Sequence, residues 1–156
     1  MAVSKVKYRQ KDQQVLAKLS NMTGNTRQSI RRGFFKYGRI WKKEAVDSTK
    51  RAKTGNEYTF RRGKRGRLRR YRASAPGESH ANRTGALTKS LGWKVNGTTE
   101  MLLGYGIDKS APVYSGAIEL GRKDGSILPR PTIKNALDST ERDLTKILLN
   151  SIDRTL

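Results

Sequence analysis

The segment that decides the fold, residues 25–50, reads NTRQSIRRGFFKYGRIWKKEAVDSTK. Its apolar side chains follow one another at steps of four, three, four and four residues, at Ile30, Phe34, Tyr37, Trp41 and Ala45. This spacing marks one face of an α-helix, and lysines and arginines fill the opposite face. The segment therefore predicts a long helix from Asn25 to about Lys50, whose aromatic face belongs to the core and packs against a sheet.

Two further helices are predicted at the ends of the chain. Pro129 and Pro131 precede a segment whose apolar residues recur at helical spacing, and a proline fits the first helical turn because its missing N–H has no partner there. The apolar positions of this C-terminal helix are Ile133, Leu137, Leu144, Ile147, Leu148 and Ile152. A shorter helix is predicted from about Lys11, with a break over 21–24.

Short strands are predicted between the long helices. Apolar stretches at 93–95, 101–105 and 113–118 are separated by glycines and turn residues, which predicts three strands. Asn96 and Gly97 form a hairpin signal between the first two, so the sheet is expected to be mostly antiparallel. Just before them, Thr84 is expected to cap a short helix that includes Leu87 and Leu91.

A basic arm is predicted at residues 57–74, EYTFRRGKRGRLRRYRAS, where two short strands flank a Gly63 to Gly66 turn. Residues 61–72 hold eight basic side chains and no acid: Arg61, Arg62, Lys64, Arg65, Arg67, Arg69, Arg70 and Arg72. Like charge at this density favours an arm that projects and contacts DNA or an acidic partner, with a solvated loop as the alternative.

The predicted fold class is α+β, with a long N-terminal helix and a C-terminal helix packed on a small antiparallel β-sheet and a protruding basic hairpin. Residues 1–156 are expected to form a single domain, since the length suits one core of modest size. Within it, 1–24 is an N-terminal extension or short helix, 57–74 is the basic arm, and 75–156 carries the strands and the C-terminal helix.

The composition excludes several kinds of protein. The 156 residues include 34 Lys or Arg against 13 Asp or Glu, a net charge of +21, and no cysteine. Without cysteine there are no disulfides, no Cys-ligated zinc, no iron–sulfur cluster and no thiol catalysis. Apolar runs fall short of the ~18 residues that a membrane span needs, and the polar, basic residues 1–14 do not resemble a signal peptide. We therefore expect a protein made in the cytoplasm that meets an anionic partner and no membrane.

Catalytic, metal and cofactor sites are not expected. His80 is the only histidine, so a His-ligated metal cluster is impossible, and the residue is expected to be exposed in a loop. The acidic residues form no paired pattern suited to metal binding or acid–base catalysis. Gly104-Tyr105-Gly106 lacks the spacing and the following helix of a nucleotide-binding loop.

Five stretches follow one another in the second half of the chain: SAPGE at 74–78, RTGALTKSL at 83–91, LLGYG at 102–106, APVYSGAIELG at 111–121 and LPRPTIKNAL at 128–137. Their order resembles a family of long-tailed bacteriophage neck proteins, described as head–tail connector, tail-completion or minor tail-component proteins. With the helix that precedes them, the resemblance covers roughly residues 25–150. This chain differs from the sequence motifs usual in that family at Ser115, Gly116, Thr132 and Ile133, and it lacks a second proline near Asn135.

The resemblance implies a non-enzymatic virion protein that forms a six- or twelve-fold homo-oligomeric ring in the neck, between the portal and the tail. Such a ring completes the tail or joins it to the filled head, beside other neck, portal-side and tail proteins, and double-stranded DNA passes through its lumen. The basic arm would then contact DNA or an adjoining ring, and Arg83, Glu119 and Arg130 are candidates for subunit contacts.

Two other classes of function stay open on the sequence. A sequence-independent nucleic-acid-binding protein would use the same arm, because arginines interleaved with Tyr58, Phe60 and Tyr71 suit phosphate pairing and base stacking. An enzyme, such as a nuclease or a cell-wall hydrolase carried on a particle, would depend on Glu78, His80 and Glu119.

Overall fold

A computed structural model of the chain describes residues 24–61, 66–98 and 100–153. Its elements in chain order are α1 Gly24–Lys50, β1 Glu57–Arg61, β2 Leu68–Arg72, α2 Ala86–Lys89, β3 Leu91–Asn96, β4 Glu100–Tyr105, α3 Ser115–Leu120 and α4 Thr132–Asp153. The predicted α+β class and both long helices are therefore confirmed. The short helix expected from about Lys11 lies outside the described residues.

The aromatic face of α1 forms the centre of the core, as predicted. Ile30, Phe34, Tyr37, Trp41 and Ala45 are all buried, and Trp41 and Ala45 have no exposed surface. Residues on α4 and on the β3–β4 hairpin complete the same cluster. The helical spacing of this face thus determines which side of α1 the rest of the chain covers.

The main partner of α1 is α4, and β3 covers a second part of its apolar face. The Tyr37 hydroxyl lies 3.0 Å from Thr140 Oγ1 between the two helices. Gly33 permits their close approach, because a Cβ there would lie 3.0 Å from Ser151 Oγ and 3.2 Å from Leu148 Cδ2. The sheet expected from the sequence is therefore only part of what buries α1.

The strands form two separate antiparallel pairs, β1 with β2 and β3 with β4. In the first pair Tyr58 lies opposite Tyr71, so the two strands predicted within 57–74 are present. Residues 62–65 between them lie outside the described residues, and an arm that projects stays a prediction. In the second pair Asn96 lies opposite Glu100, and Gly97 in the predicted turn has φ 62°.

Three details of the predicted middle segment are wrong. The N-cap of α2 is Gly85 and not the expected Thr84. The third strand, expected at 113–118, is instead the helix α3, in which the Ile118 N–H donates to the Tyr114 carbonyl at 3.0 Å. Tyr114 and Ile118 are four residues apart, a helical spacing that the surrounding proline and glycines obscured. Leu91, expected in the short helix with Leu87, is the first residue of β3.

Candidate functional site

A buried polar network lies where the loops of the second half of the chain meet the first turn of α4. At its centre is His80, which is 5% exposed, so the expectation of an exposed loop histidine is wrong. Its Nδ1 lies 2.8 Å from Thr132 Oγ1, and its Nε2 lies 3.1 Å from Thr88 Oγ1. The backbone N–H of His80 also donates to Thr132 Oγ1, at 3.0 Å.

Thr88 connects His80 with the end of α1. The Thr49 hydroxyl donates to the Val46 carbonyl at 2.7 Å, so its oxygen is free to accept from the Thr88 hydroxyl at 3.4 Å. Thr88 Oγ1 in turn lies 3.1 Å from His80 Nε2. The network therefore continues from α4 through His80 to the end of α1.

Burial lowers the pKa of His80 to about 4, and the positive charge of Lys53 acts in the same direction. The imidazole is consequently uncharged at pH 7. A neutral ring fits this buried position, because the hydrogen-bond partners of the ring nitrogens are hydroxyl groups and not carboxylates.

Glu119 caps α4 from outside the helix. The first turn of α4 contains no acidic residue, and Glu119 on α3 accepts the backbone N–H groups of Thr132 at 3.0 Å, Ile133 at 2.9 Å and Lys134 at 3.3 Å. The Tyr105 hydroxyl donates to the same carboxylate at 3.4 Å. Burial raises the pKa of Glu119, while the bonds from the helix N–H groups oppose that shift.

Tyr105 connects Glu119 with His80. Its hydroxyl also lies 3.1 Å from His80 Nδ1, and burial raises its pKa. The sequence offered no sign that these three groups meet, because 25 residues separate Tyr105 from His80 and 14 separate it from Glu119. Glu78, the other residue of the enzyme hypothesis, bonds elsewhere, to the Thr54 hydroxyl at 2.7 Å and the Ala75 N–H at 2.8 Å.

The two arginines expected at subunit contacts take different positions. Arg130 is partly buried and donates from Nε to the Ser74 carbonyl at 3.1 Å and from Nη1 to the Leu128 carbonyl at 3.2 Å. Arg83 is exposed, and its guanidinium lies 5.2 Å from the centre of the Phe60 ring. Together with Glu119, these residues hold loops of their own chain, and their contact with a second subunit stays a prediction.

The basic hairpin has two different faces. Phe60 and Tyr71 pack edge to face on the side that meets Arg83, with ring centres 6.4 Å apart. On the other side Glu57 pairs with Arg72 at 3.3 Å and with Arg70 at 3.7 Å. An acid from β1 thus offsets part of the charge of β2, a pairing that the acid-free run 61–72 did not indicate. Arg61, Arg67 and Arg69 are exposed, whereas Arg62, Lys64 and Arg65 lie outside the described residues.

Within the described ranges, no three acidic or histidine side chains gather as a group that could hold a metal ion. Over the same ranges, no helix has the length and apolar character needed to cross a bilayer.

Comparisons with protein-family models, curated proteins and solved structures found no match for this chain.

Proposed function

We propose that this protein is a structural, non-enzymatic component of a bacteriophage virion. It forms a ring in the neck that completes the tail or joins it to the DNA-filled head, and DNA passes through the lumen. The observation that carries the proposal is the exposed apolar surface on and beside α3. Val113 is fully exposed, Leu120 is 70% exposed and Leu128 is 50% exposed, and all three lie in stretches that resemble the neck family. Apolar surface of this kind is characteristic of protein contacts.

The strand arrangement supports assembly as well. In each two-stranded sheet of the described chain, both strands have one edge without a strand partner. Such edges present N–H and C=O groups in a row that a neighbouring chain can pair with. In a ring built from head-to-tail contacts, each copy uses two different surfaces for its two neighbours. The strand edges and the apolar side chains at α3 would each face a different kind of surface on the next copy.

The charge of the chain suits a channel for DNA. Phosphate contacts from lysine and arginine carry no sequence information, so they let a duplex of any sequence lie against the wall. In this proposal the hairpin residues Arg61 to Arg72 contact DNA or an acidic face of an adjoining ring.

The role of the α3 surface is tested by removing its apolar side chains. We expect the variant Val113→Ser with Leu120→Ser to lose ring assembly, measured by sedimentation velocity, while keeping the thermal stability of the original chain. Leu149→Ser is the matched control, because Leu149 is 56% exposed on α4, away from α3. Unchanged assembly of the double variant, or equal loss in the control, would contradict the proposal.

The alternative is a sequence-independent nucleic-acid-binding protein that acts as a monomer. The exposed ring of Tyr58, 54% accessible beside the hairpin arginines, favours this function because aromatic faces stack on unpaired bases. It requires tight, salt-sensitive binding of DNA by the isolated chain, whereas the neck proposal requires weak binding. Measuring DNA affinity at several salt concentrations separates the two functions. Each phosphate contact that is lost reduces the slope of log affinity against log salt concentration by about 0.9.

A further inference from the structure

A cavity of about 350 Å³ opens between the inner side of the basic hairpin, the loop before α2 and the start of α3. Tyr71, Arg83, Tyr114 and Arg130 line it, with His80 among its buried walls. We call this cavity the arginine pocket. Its volume falls in the usual range of ~300 to 1,000 Å³ for small-molecule sites.

The two arginines of the pocket keep hydrogen-bond donors for a ligand. Arg130 uses Nε and Nη1 on backbone carbonyls, which fixes the guanidinium and leaves other N–H donors of the group. Arg83 makes a cation–π contact with Phe60, and such a contact does not use the guanidinium N–H groups as hydrogen-bond donors. Among the described residues, neither arginine forms an ion pair with a carboxylate.

Tyr71 lines the same cavity as Arg83 and Arg130. Burial raises the pKa of Tyr71, and the charges of Arg83 and Arg130 each oppose that shift. The phenol hydroxyl of Tyr71 is itself directed to the Ala81 carbonyl at 3.5 Å. An anion near Tyr71 would therefore be attracted by two guanidinium groups at once.

We propose that the arginine pocket binds one nucleotide, with the phosphate between Arg83 and Arg130 and the base against the ring of Tyr114. Tyr114 lines the cavity and is 49% exposed, so part of its side chain is accessible to a base. The phosphate belongs either to a free nucleotide or to an unpaired strand; in a duplex the base is stacked within the helix and does not reach a cavity. This inference goes beyond the neck proposal, because it concerns a site within a single chain.

Two observations favour a nucleotide over the acidic side chain of a protein. A carboxylate would fill only a small part of a cavity of about 350 Å³, and it has no use for the tyrosine wall. A larger cavity of about 530 Å³ near the end of α1 differs in charge, since it is lined by Glu44, Glu78 and Asp138 as well as by Arg51, which pairs with Glu44 at 2.7 Å.

The test is calorimetric titration of the full chain with adenosine monophosphate, adenosine and inorganic phosphate. We expect one adenosine monophosphate per chain, bound at least about tenfold more tightly than adenosine, because charge-assisted hydrogen bonds to the phosphate are lost in the nucleoside. Arg83→Gln should weaken the binding of adenosine monophosphate by roughly tenfold. The control Arg142→Gln removes an exposed arginine of α4 that does not line the pocket and should leave the affinity within about twofold.

A second variant guards against misfolding of Arg83→Gln. Tyr114→Leu leaves both arginines in place. We expect it to weaken the binding of adenosine monophosphate several-fold and to leave the binding of inorganic phosphate unchanged. Competition then identifies the source of the phosphate: displacement by a single-stranded oligonucleotide indicates an unpaired strand, and its failure indicates a free nucleotide.

Three results would overturn the inference. These are no binding of adenosine monophosphate to the original chain, equal weakening of that binding by Arg83→Gln and Arg142→Gln, or inorganic phosphate binding as tightly as the nucleotide. The neck proposal is tested separately, because Val113 and Leu120 do not line the pocket and their variant should keep nucleotide affinity.

Discussion

Glu119 is the residue on which the start of α4 depends. Three backbone N–H groups at this helix end point to its carboxylate, and the preceding proline supplies no side-chain acceptor. A carboxylate at a helix N-terminus satisfies groups that otherwise lack partners and interacts favourably with the helix dipole.

We therefore expect Glu119→Ala to lower the free energy of unfolding by about 2 kcal/mol, since it leaves these N–H groups without their acceptor. Glu119→Gln should lose less, because its amide oxygen still accepts. Glu141→Ala, at an exposed position on α4, is the control and should change stability by less than about 0.5 kcal/mol. Urea titration measures all three, and equal stability of Glu119→Ala and the control would contradict this role.

His80 makes the stability of the fold depend on pH. Its pKa is about 4 in the folded chain against an ordinary value of 6.5, so between these values the unfolded chain binds a proton that the folded chain does not. Stability from this residue is therefore fully present above about pH 6.5 and is lost as the pH falls toward 4. The slope is at most about 1.4 kcal/mol per pH unit.

His80→Gln should remove that slope. The raised pKa of Glu119 acts in the opposite direction, because its proton favours the folded state, but Glu119 is present in both proteins. We expect the unfolding free energy of the original chain to fall more steeply than that of the variant from pH 6.5 to 4, by about 3 kcal/mol in total. Parallel curves from denaturant titration would show that His80 is not the cause.

These residue-level contacts were beyond the reach of sequence reasoning for a physical reason. His80, Tyr105, Glu119 and Thr132 come from different elements, and their spacing in the chain has no period that a pattern can detect. His80 can be buried because each of its ring nitrogens has a hydrogen-bond partner, Thr132 for one and Thr88 for the other. The local sequence around it, rich in turn residues, indicated an exposed loop instead.

At the scale of elements, α1 shows how much a periodic pattern determines. Its apolar spacing predicted both the helix and the buried face, because a repeating period allows only one side to be covered. The pattern did not identify α4 as the main partner, because the apolar face of α1 has the same spacing whether a helix or a sheet packs against it. It also gave no role to Gly33 and Gly38, which the packed structure explains.

Gly38→Ala tests the contact between α1 and β3. A Cβ at this position would overlap the ring of Trp93 and lie 2.5 Å from Met101 Cε. We expect a loss of about 1 to 3 kcal/mol in unfolding free energy, despite the better helix propensity of alanine. Gly116→Ala in α3 is the matched control, because its Cβ would meet nothing within 4 Å, and it should be neutral or stabilising. Stability of Gly38→Ala at or above that of the control would contradict the packing.

The charge of the whole molecule bears on the proposed assembly. Every copy in the proposed ring would add +21, so neighbouring copies would repel one another unless salt or a polyanion screened them. The screening length falls from about 30 Å at 0.01 M salt to about 10 Å at 0.1 M. Exposed apolar surface at α3 gains contacts only once that repulsion is reduced.

Self-association should therefore increase with salt. We expect monomers in sedimentation velocity at about 0.01 M salt and larger species at about 0.5 M, with the Val113→Ser and Leu120→Ser variant remaining monomeric at both. Dissociation by salt would be the opposite behaviour and would indicate that ion pairs, rather than the apolar surface, hold the copies together.

The central claim is a defined place in the virion. If the proposal holds, a phage encodes this chain, and the most direct test is quantitative mass spectrometry of that phage's purified particles, counted against the portal subunit in intact virions, separated heads and separated tails. We expect a fixed ratio to the portal that corresponds to six or twelve copies in each particle. Absence of the chain from purified particles would contradict the neck proposal and favour the monomeric nucleic-acid-binding protein.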